Sequence, residues 1–374
     1  MSCGAAGAVG FSEFDTAMMR RALALAEKGV CSVTPNPAVG CVIVRDGNVI
    51  GEGYHKRAGT GHAEVNAIAS AGGDIRGADV YVTLEPCSHY GRTPPCAETL
   101  IRAGARRVVA AMKDPNPMVA GRGLAMLSEA GVETRCGLLE HEAELLNPGF
   151  LHRMRTGRPY VRLKMGCSID GRTALADGSS KWITSAEARR DVQSWRARSC
   201  CILTTSATVL ADDPSMNVRP EELPEGFADR FMAQGPRQPA LALVDEHRRV
   251  PSGAAVFKTE RPVIRFTSSP EGGQEVFYRR QNENALADVF RELGRRQMNS
   301  VWIEAGATFA GSVIAQDLAD EIIIYLAPRF IGADGRPLAA ITGCGDLAST
   351  PFYEVTDCSM AGRDIRVTME RKRG

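Results

Sequence analysis

The 374-residue chain is short of aromatic residues and has almost no excess of charge of one sign. Aromatics make up 6% of it, and Lys plus Arg number 45 against 44 Asp plus Glu, so it lacks both the stacking platform and the cationic footprint of a polynucleotide binder. The first 155 residues carry 16 basic and 16 acidic groups, so no basic domain hides within the neutral total. No run of about 18 apolar residues occurs, which excludes a membrane-spanning helix. The N-terminal MSCGAAGAVGF has no basic start and too short an apolar core for a secretory signal. The 11 cysteines are odd in number and loosely spaced, which excludes a disulfide scaffold and predicts thiols in a reducing cytoplasm. A local basic pocket for a single phosphate is still compatible with this balance.

The 44% apolar and 24% charged fractions are those of a folded globular protein, long enough for two domains or three. Strands and helices alternate. The pattern predicts a helix over 15–28, a strand over 38–44, a tight turn at Asp46-Gly47-Asn48 with a return strand, and a helix over 61–71. Strand 78–84, helix 95–102, strand 107–112, helix 123–130 and strand 132–137 follow. This is an α/β layer with helices on a mainly parallel sheet. The stretch NPGFLHRMRTGRP at 147–159 reads as a linker with a boundary near Gly157, giving domains 1–157 and 158–374. Beyond it the alternation restarts with strand 160–165, helix 185–198, strands 201–205, 240–245 and 263–266, helix 283–296, strand 300–304, helix 309–316 and strand 321–327. Residues 220–239, with four prolines and no periodicity, read as a surface loop.

The strongest chemical signal is His62-Ala63-Glu64, then Pro86-Cys87 and, after eight intervening residues, Cys96. One imidazole and two thiolates are the three protein ligands of a catalytic zinc site that keeps a fourth position for water. Zinc lowers the pKa of that water to about 7, and a carboxylate that is not a ligand must then move protons. Glu64 is placed for it. Side chains two residues apart converge only at a helix start, which Gly61 before His62 suits, and Pro95-Cys96 opens a helix whose dipole favours thiolate. The His-x-Glu and Pro-Cys pairing is that of zinc deaminases. The bland alternatives are buried thiols beside a surface histidine, or a closed structural zinc with Cys31, Cys41 or His89 as fourth ligand.

The long insert in PCSHYGRTPPC, with TPNPAVGCVIV and GHAEVNAI, resembles the deaminase half of the RibD family of bifunctional riboflavin biosynthesis proteins. In the second half there is no Gly-x-Gly-x-x-Gly fingerprint. Instead Leu163-Lys164-Met165, Ser168-Ile169-Asp170-Gly171-Arg172, Lys181-Trp182-Ile183-Thr184-Ser185, Ala207 to Pro214 and Trp302 to Ser312 resemble that family's reductase half. The likeness spans essentially the whole chain.

It implies a cytidine-deaminase-like three-layer α/β/α domain followed by a dihydrofolate-reductase-like α/β domain, with one zinc per chain on His62, Cys87 and Cys96. Glu64 would be the proton shuttle, Asn36 would hydrogen-bond the pyrimidine, and His55, His89 and Arg92 would surround the ribose phosphate, Arg92 standing where Lys is common. NADPH would meet Gly166, Trp182, Thr208, Asp212 and the turn Gly306, Ala307, Thr308, Phe309, Ala310, Gly311, Ser312. Ser180, Arg196, Met216, Arg219 and Glu304 would line the second substrate site. Where this family more often has a small hydroxyl residue near the cofactor, this chain has Glu246. The implied reactions are deamination of a diaminopyrimidine ribosylamine 5′-phosphate, then reduction of its ribosyl to a ribityl chain. The implied partners are small phosphorylated pyrimidines, with neither nucleic acid nor membrane, in a cytoplasmic homo-oligomer, dimer or tetramer. Two other readings are a zinc deaminase with a non-catalytic C-terminal assembly domain, opposed by Lys164, Arg196, Asp212 and Glu304, and a nucleoside or nucleic-acid deaminase, opposed by neutral charge and the cysteine spacing.

Overall fold

Helix α1 (Glu13–Glu27) starts where Ser12 and Asp15 cap each other: the Ser12 hydroxyl accepts from the Asp15 N–H, and the Asp15 carboxylate accepts from the Ser12 N–H. The computed structural model describes residues 10–371 apart from 91–93, 118 and 234. Its chain forms two compact units, Met1–Gly157 with Ala233–Gly235, and Arg158–Met232 with Pro236–Gly374.

In the first unit α1 is followed by β1 (Gly40–Arg45), β2 (Asn48–Tyr54), α2 (Ala63–Ser70), β3 (Asp79–Val82), α3 (Cys96–Ala103), β4 (Arg107–Ala110), α4 (Arg122–Glu129), β5 (Glu133–Cys136), α5 (Glu140–Leu146) and α6 (Pro148–Thr156). Asp46 and Gly47, both at positive φ, close the β1–β2 hairpin in two residues. The sheet order is β2-β1-β3-β4-β5, with β1 antiparallel to its neighbours and β3, β4 and β5 parallel. Strand alternation divides the core between two faces. Cys41, Ile43, Val80 and Val108 pack with Ala67 of α2, Leu100 of α3 and Leu127 of α4. Val42, Val44, Tyr81 and Val109 pack with Met19 of α1, Ala143 of α5 and Phe150 of α6. Three layers result.

The stretch expected to be a linker is helix α6. Pro148 occupies its first turn and Gly157, at φ 76°, is its left-handed C-cap, so the Pro and Gly that suggested irregularity are a start and a stop signal. Phe150 and Leu151 then face the core.

The second unit runs β6 (Tyr160–Ser168), β7 (Arg172–Ala174), α7 (Ala186–Arg198), β8 (Cys201–Thr205), α8 (Ser206–Asp212), α9 (Phe227–Ala233), β9 (Ala240–Val244), β10 (Val263–Thr267), β11 (Glu275–Phe277), α10 (Ala285–Arg295), β12 (Ser300–Glu304), α11 (Ala307–Ala315), β13 (Glu321–Ala327), β14 (Arg336–Pro337), β15 (Glu354–Ala361) and β16 (Asp364–Glu370). Its nine-stranded sheet has the order β11-β10-β9-β8-β12-β6-β13-β16-β15, parallel as far as β13 and antiparallel thereafter. Leu163, Val301 and Ile303 pack under α10 and α11, while Ile202, Leu241, Trp302 and Tyr325 pack on the opposite face with Ala188 and Val192 of α7. The expected loop at 220–239 contains α9, whose Phe231 is buried, and a single helical turn at Pro220–Glu222. No helix among the described residues is long and apolar enough to cross a membrane.

Candidate functional site

In the first unit His62 is the N-cap of α2, in extended backbone, and its side chain makes no capping bond. It thereby leaves the helix axis while Glu64 sits buried in the first turn. Cys96 is the first residue of α3, and its N–H points at Cys87 Sγ at 3.3 Å. The Ala97 N–H donates to the Cys87 carbonyl at 3.2 Å, tying the loop carrying one thiol to the helix start carrying the other. His62 Nδ1 lies 3.3 Å from Cys96 Sγ and 3.7 Å from Cys87 Sγ, and the three donor atoms fall within 4.8 Å of one another. Cys31, Cys41 and His89 stand outside this group, and Cys41 is buried in the core. One nitrogen and two sulfurs, with no fourth protein donor in the group among the described residues, fit a zinc that keeps a position for water. Cys87 is held down at about 4 by hydrogen bonding to Cys96 and His62, against burial, and Cys96 is pushed up as the group that keeps the shared proton. Burial, reinforced by the Cys87 charge, raises Glu64 above the usual carboxyl range.

His55 is buried against His62, ring edge to face at 5.2 Å between centroids. Its Nδ1 is 3.0 Å from the Gly61 carbonyl, which can only accept, so the proton sits on Nδ1. Nε2 then accepts from the Asn36 amide nitrogen at 3.0 Å. Both ring nitrogens are thus engaged by protein, and the Asn36 amide is oriented with its nitrogen towards His55. His89 is exposed, and Arg92 lies outside the described residues. Sequence reasoning missed Glu85, a buried carboxylate that accepts from the N–H groups of Asp114, Gly121, Gly123 and Leu124 at 2.9–3.3 Å and so pins the segment leading into Cys87 to the start of α4. Its place two residues before Cys87 was the available signal. Asp114 itself is pushed up to about 6, chiefly by burial.

The second unit holds a cavity of about 1600 Å³ at the carboxyl ends of its parallel strands. That exceeds the ~300–1,000 Å³ of ordinary small-molecule sites and leaves room for a dinucleotide beside a substrate. Gly166, Ser180, Trp182, Arg196, Thr208, Asp212, Met216, Arg219 and Glu304 all line it. Of the glycine turn, Gly306, Ala307, Thr308, Phe309 and Ser312 line it too. Ala310 and Gly311 do not: Ala310 is in the core, and a Cβ at 311 would lie 2.3 Å from the Ala340 carbonyl oxygen. Gly306 is the N-cap of α11 with no side-chain cap and open space around it, so backbone N–H groups face the cavity as they would face a pyrophosphate.

Arg196 and Glu304 form a buried two-pronged ion pair, Nε to Oε1 at 2.6 Å and Nη2 to Oε2 at 2.9 Å, and Arg196 Nη1 donates to the Asn217 carbonyl. Trp302 Nε1 donates to the same carboxylate at 2.8 Å. Arg219 is held likewise by Glu222, at 2.6 and 2.7 Å. Lys164, named from sequence only as opposing a non-catalytic domain and given no role there, lines the cavity, and burial lowers its pKa against the pull of the Glu304 charge. Its signal was a lysine in the apolar strand β6.

With this geometry in place, likeness to known proteins is informative. Residues 12–112 match the cytidine and deoxycytidylate deaminase zinc-binding region, and residues 159–352 match the RibD C-terminal domain. The chain is 48% identical to the riboflavin biosynthesis protein RibD of Haemophilus influenzae over 369 residues, covering 97% of this chain and 99% of that one. The Escherichia coli RibD is also 48% identical, over 370 residues, with 94% and 98% covered. Among solved structures, an Acinetobacter baumannii RibD aligns with a TM-score of 0.88 at 40% identity, over 96% of this chain and 99% of that one. The Thermotoga maritima diaminohydroxyphosphoribosylaminopyrimidine deaminase/5-amino-6-(5-phosphoribosylamino)uracil reductase aligns at 0.83 and 31% identity, with the same coverage.

Proposed function

The chain belongs to the RibD family and is a bifunctional deaminase and reductase of riboflavin biosynthesis, and from that premise we propose which residues carry each reaction. Residues 1–157 deaminate the diaminopyrimidine ribosylamine 5′-phosphate, and residues 158–374 then reduce its ribosyl group to ribityl. The observation that carries the first assignment is the convergence of His62, Cys87 and Cys96 beside the buried, non-ligating Glu64.

Zinc held by His62, Cys87 and Cys96 would supply an activated water, its pKa lowered to about 7. Glu64 takes the proton of the attacking water and returns it to the departing ammonia, a task that its raised pKa suits. Asn36, its amide nitrogen held by His55, is left with Oδ1 to accept from the pyrimidine. Arg92 carries positive charge, and His89 a hydrogen-bonding imidazole, for the ribose phosphate.

In residues 158–374, NADPH held by the Gly306 turn and α8 would supply the hydride that the opened ribose takes at C1′. Gly306 and the first turn of α11 take its pyrophosphate, and Thr208 and Asp212 of α8 line the same cavity. Glu304, locked by Arg196 and Trp302, and Lys164 form the polar floor on which the ribose rests. Arg219 receives the 5′-phosphate by exchanging it for Glu222. A C-terminal domain serving assembly alone would have no use for a large cavity lined by a half-buried lysine and a locked carboxylate. The protein works in the cytoplasm as a homo-oligomer.

One paired experiment tests both assignments. Glu64→Gln is expected to keep its zinc by metal analysis, to release no ammonia from the diaminopyrimidine phosphate, and still to oxidise NADPH when given the deaminated pyrimidine. Near-normal ammonia release rejects the proton-shuttle role, and failure of both wild type and variant to oxidise NADPH favours the monofunctional reading.

A further inference from the structure

After α8 the chain runs along the second unit's cavity as a strap, 215–219, that belongs to no helix or strand. Such a segment has no ladder to satisfy its backbone groups, so their partners must come from elsewhere. Here side chains supply them. Arg261 donates to the Met216 carbonyl through Nη1 and to the Ser215 carbonyl through Nη2 at 2.8 Å. Arg196 Nη1 donates to the Asn217 carbonyl at 2.9 Å. Gln238 grips Val218 twice: its Oε1 accepts from the Val218 N–H and its Nε2 donates to the Val218 carbonyl, each at 2.8 Å. The Arg219 N–H donates to Gln193 Oε1 at 3.0 Å.

The strap needs this restraint. Met216 lies in the left-handed region at φ 48°, where a residue with a Cβ persists only if its surroundings impose the conformation. The two carbonyls that Arg261 holds belong to the peptide groups on either side of the Met216 Cα, so one guanidinium fixes both dihedral angles there. Arg261 is itself steadied by the Val256 carbonyl, at 3.1 Å from Nη2. As a result Met216 is buried with its Sδ 3.7 Å from Arg196 Nη2, and Arg219 reaches the cavity lining beside Glu222.

We infer that Gln238 and Arg261 are positioning residues for the reductase substrate: by clamping the strap they set where the Arg219 guanidinium stands relative to Glu304. Neither side chain lines the cavity, so their influence passes through the strap. Gln193 does line it, and a change there would mix contact with placement. The inference rests on reading Arg219 as the receiver of the substrate's 5′-phosphate. That phosphate and C1′ belong to one short ribose chain, so a drift of ~1 Å at the anchor misplaces the reacting carbon.

The test measures kcat/KM for NADPH oxidation by the full-length protein with the deaminated pyrimidine 5′-phosphate and with its dephosphorylated form. The wild type is expected to prefer the phosphate. Gln238→Glu keeps the shape and the acceptor for the Val218 N–H but sets an acceptor against the Val218 carbonyl. It should cut the preference by about tenfold, mainly through KM, the worth of one charge-assisted bond between Arg219 and phosphate. NADPH affinity and ammonia release should be unchanged. In an Arg219→Ala background the same substitution should alter the preference by less than about twofold, because no guanidinium remains to be placed. Arg261→Lys keeps the charge but cannot span both carbonyls; it should cut the preference by about threefold, and it carries the test if Gln238→Glu does not fold. Equal loss with both substrates, or an undiminished effect in the Arg219→Ala background, overturns the positioning role and leaves Arg219 as the phosphate contact. A wild type without preference for the phosphate overturns that reading of Arg219, and the inference with it.

Discussion

Replacing Glu304 by Gln probes the ion pair on which the second unit's cavity is built. The Arg196 and Glu304 side chains are 9% and 11% exposed, so solvent screens them little. Burial raises the Glu304 pKa, but the charge and hydrogen bonds of Arg196, with Lys164 and Trp302, outweigh it and hold the carboxyl at about 2 instead of 4.5. A carboxyl depressed by folding binds fewer protons folded than unfolded, so its stabilisation is complete above about pH 4.5 and is lost as pH falls through about 2. At ~1.36 kcal/mol per unit the depression is worth about 3 kcal/mol. Breaking a buried pair costs ~3–5 kcal/mol, and Gln, which keeps one carbonyl acceptor for Arg196 or Trp302, belongs near the lower end. The assay is urea unfolding followed by tryptophan fluorescence, which reports the second unit alone because the chain's 3 tryptophans, Trp182, Trp195 and Trp302, all lie there. The variant should be about 3 kcal/mol less stable than wild type at pH 7, and the gap should shrink to about 1.5 kcal/mol at pH 3, where the wild-type carboxylate has lost over half of its advantage. A gap under about 1 kcal/mol at pH 7, or one equal at both pH values, refutes the reasoning.

Cys96→Ser should lose zinc and ammonia release together while NADPH oxidation with the deaminated pyrimidine persists, as metal analysis and the two assays would reveal; retained zinc contradicts the ligand assignment. Glu222→Gln removes the anion that pairs with Arg219, a half-exposed interaction worth ~0.2–1 kcal/mol, so KM for the reductase substrate should fall by up to about fivefold with kcat little changed; a raised KM argues against phosphate at Arg219. Glu85→Gln replaces two of the carboxylate's acceptor sites, which serve four backbone N–H groups, with donors. It should cost ~1–3 kcal/mol and release zinc to a chromophoric chelator at a lower urea concentration than wild type. Unchanged release would mean that Glu85 does not support the Cys87 segment.

What the sequence made legible was local. The grouping of His62 and Cys96 near Glu64 could be read because it follows from helix starts a few residues away: His62 is an N-cap and Cys96 opens α3. Strands β12 and β13 begin and end where alternation places them, at Ser300–Glu304 and Glu321–Ala327. Helix α6 was not legible, because Pro148 and Gly157 are ambiguous until the packing of Phe150 decides that the segment is core. Likewise Phe231 makes α9 a helix only by finding a burial site. The hairpin β15–β16 is nearly all exposed on β15, so it carries no apolar alternation to read. The least legible features were the pairings over long separations. Nothing local tells that Arg196 meets Glu304, or that Asn36 turns its amide to His55.

The place of Glu246 in the fold explains how such a departure is tolerated. In the second unit the site-bearing residues stand just past parallel strands: Thr205 ends β8 and caps α8, Glu304 ends β12, and Gly306 caps α11. This is where open α/β sheets hold their ligands. Register and core are settled by residues within the strands, such as Leu241, Leu243 and Ile303, which never reach the cavity. At the end of β9, Asp245 alone holds the turn, through the N–H groups of Arg249 and Val250, and Glu246 is fixed only by its carbonyl. The Glu246 side chain can therefore change from hydroxyl to carboxylate without moving the backbone, and the cost appears in ligand charge balance instead of stability. Arg249, Arg279 and Arg280 line the same cavity, so Glu246 is not the only charge that sets that balance.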